Sequence, residues 1–416
     1  MDKAHRVVEI VAREAYGRLV SYLSARARDV AGAEDALADA FLAALRTWPC
    51  DGMPEKPEAW LLATARHRLI DRARHERIRV EAAQALRRAV EAAEEMSEAS
   101  LFPDERLKLL FVCAHPAIDT AVHTPLMLQV VLGLDAATIA RALLTSPATL
   151  GQRLVRAKAK IRDAGIAFEV PGGSELPQRL GAVLEAIYAA YGSGWDDVAG
   201  ADPRRRDLTD EAIWLARVLL KLLPTEPEAR GLLALMLYCE ARRQARRTDD
   251  GDYVPLLEQD TRLWSMPLIA EAERLLAIAA GQQRAGRFQL EAAIQSAHVE
   301  RARCGRIDWQ AIALLYEGLV RVAPTLGALV GRAAALAEAS GPDAGFALLD
   351  DITPESVQTY QPYWAVGAHL LQRLGRRSEA LDAFDRAISL TEDSAIRQFL
   401  LRCRGQRAYA HGSCYA

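Results

Sequence analysis

The chain has 416 residues, 51% hydrophobic, 26% charged and 6% aromatic, with a formal net charge of −3 and an isoelectric point near 6.3. This is ordinary globular composition over a length that accommodates two or three domains, which excludes a disordered chain and a wholly basic nucleic-acid coat. A local basic surface stays open, because salt limits the reach of exposed charges to about 8 Å under physiological conditions. Ala, Leu, Arg and Glu dominate and no sustained alternating β-branched run occurs, so the expected class is all-α. The 6 cysteines fall at 50, 113, 239, 304, 403 and 414 with no Cys-x-x-Cys pair, a scatter suited to a reducing cytosol. The N-terminal segment carries acids and arginines through its apolar residues, unlike a signal peptide. No apolar run approaches the ~20 residues of a membrane span, so a soluble, cytoplasmic protein is expected.

The first helical block runs from Asp2 to Arg79 and is punctuated at "TWPCDGMPEKP" (47–57). In "AEDALADAFLAALRTW" (33–48), Leu37, Ala40, Phe41, Ala44 and Leu45 form an apolar stripe. Asp35 and Asp39 sit one turn apart on a more exposed side. In "PEAWLLATARHRLIDRARHERIR" (57–79), Trp60, Leu61, Ala65, Leu69 and Ile70 supply apolar contacts. Arg66, His67, Arg68, Arg72 and Arg74 crowd the same helix. Aromatics beside arginines suit single-stranded bases, which stack on rings while cations hold the backbone. For Phe41 and Trp60 a place in the core is the competing reading, and for Asp35 and Asp39 it is a solvated face. The segment 81–105 holds seven acids against two arginines and reads as a solvated, partly helical linker.

A compact block follows from Glu105 to Phe168. In "GLDAATIARALL" (133–144), Gly133 ends one helix and Asp135 caps the next, with Ile139, Ala140 and Leu143 as the apolar side. A tight turn at Leu144–Thr145 leads into "SPATLGQRLVRAKAKI" (146–161), where Ser146 caps and Pro147 suits the first helical position. Leu150, Leu154, Ala157 and Ile161 recur at helical spacing, while Thr149, Gln152, Arg153, Arg156 and Lys160 share another face. Residues 141–162 hold six Lys/Arg and no acid. Two short helices, a turn and a basic second helix make a helix-turn-helix, whose second helix is expected in the major groove. Gln152 can pair with adenine, and Arg153 or Arg156 with guanine or phosphate. The bland alternative is a solvated amphipathic helix without a ligand.

"EVPGGSELP" (169–177) reads as a boundary. Beyond it the chain reads as successive amphipathic helices. In "YWAVGAHLLQRLGRRSEALDAFDRAI" (363–388), Trp364, Ala380, Phe384 and Ala387 occupy the large, small, aromatic and small positions of a helical-hairpin repeat, with Gly375 at the turn. Ile312, Tyr316, Leu319 and Pro324 mark an earlier unit, and Ala344 with Leu348 one between, at offsets bracketing the roughly 34-residue tetratricopeptide repeat. A plain helical bundle is the alternative. Cys113, His115 and His123 read as a buried Cys and a capping His rather than metal ligands. "YGSGWDD" (191–197) reads as a loop, since no strand precedes it. "YCEARRQARR" (238–247) reads as cations favoured by a helix C-terminus. No catalytic constellation, cofactor motif or metal site is found.

Taken together, "AEDALADAFLAAL", "AWLLATARHRLIDRARH" and "TIARALLTSPATLGQRLVRAKAKI" resemble bacterial RNA polymerase sigma factors of the extracytoplasmic-function (ECF) group of the sigma-70 family. "DERLKLLFVCAHPAI" (104–118) and the long helical tail resemble the subgroup with a C-terminal tetratricopeptide-like extension. The resemblance implies sigma region 2 over 1–80, an acidic linker over 81–104, region 4 over 105–170 and the helical extension over 171–416. It implies a non-enzymatic initiation factor without cofactors, whose partners are core RNA polymerase and promoter DNA. Asp35, Asp39 and Phe41 would meet the β′ clamp. Trp60, Arg66, His67, Arg68, Arg72 and Arg74 would engage the −10 element and its melted strand, where flipping a base costs a few kcal/mol. Ser146, Thr149, Gln152, Arg153, Arg156, Lys158 and Lys160 would read the −35 element, with region 4 against the β flap. The extension would take a regulatory protein partner or pack on the sigma domains. Two departures stand out: Leu144 replaces a glycine common at the turn, and Gly151 costs about 1 kcal/mol in a helix interior. The competing readings are a helix-turn-helix DNA-binding regulator that never binds polymerase and a scaffold whose basic helices are incidental.

Overall fold

The structure is a computed structural model and describes residues 3–75, 105–142, 145–172, 175–195 and 203–405. Among these residues the regular elements are helices, with no strand and one isolated antiparallel bridge between Arg247 and Tyr253. The all-α expectation is met. The chain divides into two compact units, with the change-over inside one helix at residues 215 and 216.

The N-terminal unit begins with α1 (Lys3–Ala27), α2 (Val30–Asp51) and α3 (Pro57–His75), which pack on one another. Their core is Leu19, Val20 and Leu23 from α1, Leu37, Ala40 and Ala44 from α2, and Leu61, Ala65 and Leu69 from α3, all buried. The predicted break at 47–57 is shorter than the sequence suggests: α2 runs through Pro49 to Asp51, and Gly52 at φ 90° ends it. The acidic linker lies outside the described residues.

Next come α4 (Arg106–Cys113), α5 (Thr120–Val130), α6 (Ala136–Ala142), α7 (Pro147–Asp163) and α8 (Glu175–Trp195). The Asp119 carboxylate accepts the Ala121 N–H and caps α5. The expected boundary at 169–177 holds locally but does not divide one core from another. Beyond it α8 packs back on α5 and α4, burying Val183, Leu184 and Ile187. Residues 191–195 form its last turn, where the sequence suggested a loop. In α9 (Pro203–Leu222), Glu211 pairs with Arg106, whose guanidinium also lies 4.3 Å from the Trp214 ring centroid. Arg106 is only 9% exposed. The N-terminal unit therefore runs some forty residues past position 171, because α8 and the first turns of α9 complete its packing.

The C-terminal unit holds the rest of α9, α10 (Pro227–Ala241), α11 (Met266–Ala280), α12 (Arg287–Val299), α13 (Arg301–Cys304), α14 (Trp309–Val322), α15 (Leu326–Ser340), α16 (Pro342–Asp350), α17 (Pro354–Val357), α18 (Gln361–Arg373), α19 (Arg377–Leu390) and α20 (Ser394–Gly405). Consecutive long helices pack in sequence order. Gly375 turns between α18 and α19 at φ 74°, and Ala380, Phe384 and Ala387 are buried as the spacing predicts. Between α10 and α11 the chain crosses to the last hairpins. Tyr253 packs edge-on against Phe399 at 5.4 Å, and Arg247 pairs with Asp393. The arginines of 238–247 are thus largely occupied, Arg242 by Gln295 and the Tyr238 carbonyl, and Arg243 by Glu240.

Candidate nucleic-acid interface

The cleanest candidate surface is α7. Its N-terminus is fixed by Ser146, whose Oγ accepts the Thr149 N–H at 3.1 Å and donates to Thr149 Oγ1 at 2.7 Å. Pro147 follows at the first helical position. The Leu150, Leu154, Ala157 and Ile161 stripe is buried, 6% exposed at most. Thr149, Gln152, Arg153, Arg156 and Lys160 point to solvent. Helix α6, which packs on α7, is set by Asp135. Its carboxylate accepts the Thr138 N–H at 2.9 Å and the Thr138 hydroxyl at 2.8 Å, and these bonds hold it below the usual carboxylate range. The Thr145 N–H reaches the Ala140 carbonyl at 2.9 Å and closes the turn. Leu143 and Leu144 lie outside the described residues. A Cβ at Gly151 would meet nothing within 4 Å, so no close approach demands that glycine.

Two features of α7 were not foreseen. Val155 is 68% exposed at the edge of the cationic face, the kind of apolar group that touches a thymine methyl. Lys158 leaves that face. Its side chain is 12% exposed and its Nζ donates to Glu34 Oε2 of α2 at 2.5 Å. In this structure Lys158 is thus set apart from the other expected DNA-contacting residues of α7. It sits on the side of α7 turned toward the α1–α2 layer, where burying a cation requires a carboxylate partner.

The arginine-rich α3 behaves differently. Arg66 turns inward: its guanidinium donates to the Tyr22 hydroxyl and lies 5.0 Å from that ring's centroid, with Arg26 at 3.4 Å on the same ring. In this structure its guanidinium is engaged within the helical layer, where a nearby hydroxyl and π-face satisfy a half-buried cation. His67 and Arg68 are exposed. The side chains of Arg72 and Arg74 lie outside the described residues. Trp60 is half-buried and meets Trp48 edge-on, with centroids 5.4 Å apart. Around this pair Thr47, Asp51, Gly52, Met53 and Pro54 line an open recess of about 400 Å³. Trp48 is 4% exposed, and its Nε1 finds no partner among the described residues. A buried donor without a partner is costly, which marks the recess as a place where a polar group can be received.

On α2, Asp35 and Asp39 are exposed as expected, and Leu42, 52% exposed, continues their stripe toward Arg46. Phe41 is half-buried beside that stripe. Leu42 falls outside the predicted apolar stripe, and only packing shows how far its side chain is left in solvent. Cys113 is fully buried, and burial pushes its thiol up. His115 Nδ1 accepts the Ala117 N–H at 3.1 Å, and a ring nitrogen of His123 meets the Ile118 carbonyl at 3.0 Å. Both histidines are thus tied to nearby backbone. Among the described residues no group of three or more Asp, Glu, His or Cys is placed to hold a metal.

Residues 11–78, which are α1 to α3 almost entirely, match the family model for sigma-70 region 2. That match supports a member of the sigma-70 family. In these transcription-initiation factors region 2 is the segment that contacts core RNA polymerase and promoter DNA. The chain is also 38% identical over 393 residues to an uncharacterised protein of Rhizobium meliloti (strain 1021), covering 93% of this chain and 92% of that one. Residues 179–280 match a family of unknown function, DUF6596. That segment spans helices of both units, from α8 to α11. No solved structure matches the chain. No helix among the described residues is long and apolar enough to cross a membrane.

Proposed function

We propose that this sigma-70 family member is an alternative sigma factor of the ECF type, acting in the cytoplasm, with the α6–α7 pair as its region 4 helix-turn-helix. The observation that carries the reading is the partition of α7. Its buried stripe faces the body of the unit, while Thr149, Gln152, Arg153, Arg156 and Lys160 form one outward face behind a Ser–Pro start. Such a face reads base edges and neutralises phosphates, with affinity that salt erodes. In region 2 the recess between Trp48 and Trp60 takes a base flipped from the −10 element, beside exposed His67 and Arg68. The Asp35–Asp39–Leu42–Arg46 stripe is the docking face for the β′ clamp, and the α6–α7 domain meets the β flap. The C-terminal unit, with hairpins resembling tetratricopeptide repeats, offers stacked helices to a regulatory protein partner.

Promoter-specific transcription with core polymerase tests this reading. The full chain should direct initiation from a subset of promoters. Substituting Asp35→Lys with Asp39→Lys should weaken polymerase binding while leaving duplex binding intact. Duplex binding without any association with core polymerase would instead establish the regulator reading.

A further inference from the structure

Region 2 and the α6–α7 domain are not separate bodies in this structure. They form one compact unit, in which α1 and α2 meet α4, α5 and α7. Two places in that contact use residues of high specificity. At the first, Glu34 of α2 receives Lys158 Nζ at 2.5 Å and the Tyr16 hydroxyl at 3.4 Å, with the Glu34 side chain 16% exposed. At the second, α1 meets the end of α5 backbone to backbone. A Cβ added at Gly17 would lie 1.7 Å from the Val131 carbonyl oxygen, and one added at Gly133 would lie 2.9 Å from Tyr16 Cδ1. Burial then pushes the Tyr16 phenol well above its ordinary range. A part-buried ion pair and two sites that only glycine fits are signs of a packed interface, not of casual contact.

This arrangement is too short for promoter engagement. Trp48, at the recess, lies fourteen residues along α2 from Glu34, about 21 Å at 1.5 Å per residue. Ser146, at the reading end of α7, lies twelve residues before Lys158, about 18 Å on the same measure. Laid end to end these fall well short of the roughly 85 Å that separates elements about 25 base pairs apart at 3.4 Å per step. The acidic segment 81–104, at about 3.3–3.6 Å per residue, has the contour length to span most of that distance.

We propose that Glu34–Lys158, with Tyr16–Gly17 seated on Val131–Gly133, is a latch that holds α7 on region 2 in the free protein. Promoter engagement requires the latch to open. The functional half of this proposal rests on the sigma reading above; the latch itself does not. Lys158 is held against α2 while the latch is closed, and its release exposes a further cation on the side of α7 that faced region 2. Polymerase binding or DNA binding that favours the separated arrangement drives the opening by its difference in affinity for the two states.

Gly17→Ala is the sharpest test. Every atom the new methyl meets, on Val131 and Arg106, lies on the far side of the linker, and Ala favours the helix. Small-angle X-ray scattering of the full chain should show a larger radius of gyration than wild type with helical content unchanged. Glu34→Lys should expand the chain likewise, and the swap Glu34→Lys with Lys158→Glu should return it to wild-type size. With the closed state removed, apparent affinity in promoter complexes should rise about ten-fold or more, the inverse of a minor open population. Wild-type dimensions in both single variants, or an expansion the swap leaves uncorrected, would overturn the latch. Expanded variants that initiate no better than an active wild type would overturn its role in initiation. If the scattering follows expectation but even the wild type never initiates at a promoter, the sigma reading fails and the latch stands.

Discussion

Helices α3 and α7 look alike in composition, each rich in arginine and each carrying an apolar stripe, yet they present themselves to solvent in opposite ways. In α7 the cations cluster in one angular sector away from the buried Leu150–Leu154–Ile161 line, and all but Lys158 of the candidate contacts face outward. In α3 Arg66 falls near the apolar sector and is taken up by Tyr22, leaving His67 and Arg68 exposed among the described candidates. A count of cations therefore does not measure a reading surface. Their angle from the buried stripe does.

Four variants break or sharpen this contrast. The largest effect is expected from Arg153→Ala with Arg156→Ala, at about 1–3 kcal/mol per lost bidentate contact, or roughly a hundred-fold overall in duplex affinity. Titration of a promoter duplex at fixed salt checks this, and folding stability should be nearly unchanged. Arg66→Ala should do the reverse. It removes the guanidinium that donates to the hydroxyl of the buried Tyr22 and costs about 1–3 kcal/mol of stability, read by thermal unfolding. An equal loss of DNA affinity in Arg66→Ala and the α7 double variant would erase the distinction. Ser146→Ala removes the cap and should lower stability by about 1 kcal/mol, with a modest loss of duplex affinity as the first turn of α7 frays. The smallest effect belongs to Asp135→Asn, which keeps a capping oxygen but loses its charge. The Asp135 carboxyl is held below its ordinary value of 3.8 by Thr138. Its contribution is therefore full above that value and disappears as pH falls through the folded-state value. The stability gap between Asp135→Asn and wild type should close in acid, whereas the Ser146→Ala gap should not.

Much of this was legible from residue order. The Ser146–Pro147 start, the four-residue stripe of α7, the Asp135 cap and the Gly375 turn all appear where spacing places them. Less legible was the site in region 2. The recess needs Trp48 and Trp60 from two helices brought edge to edge, and an exposed Leu42 is indistinguishable in sequence from a buried one. Which core the helix after the expected boundary near 171 joins was equally illegible. Pro and Gly mark where a helix stops, not which core the next helix joins, and α8 joins the earlier one.

Helix period, caps and glycine turns are settled within a few residues, so the chain alone determined an all-α molecule and the outward cationic face of α7. Packing decided the rest. Arg66 with Tyr22, Arg106 with Glu211 and Lys158 with Glu34 join residues 44, 105 and 124 positions apart. Such pairs leave no periodic trace, because burial creates the demand for a partner only once distant surfaces have met.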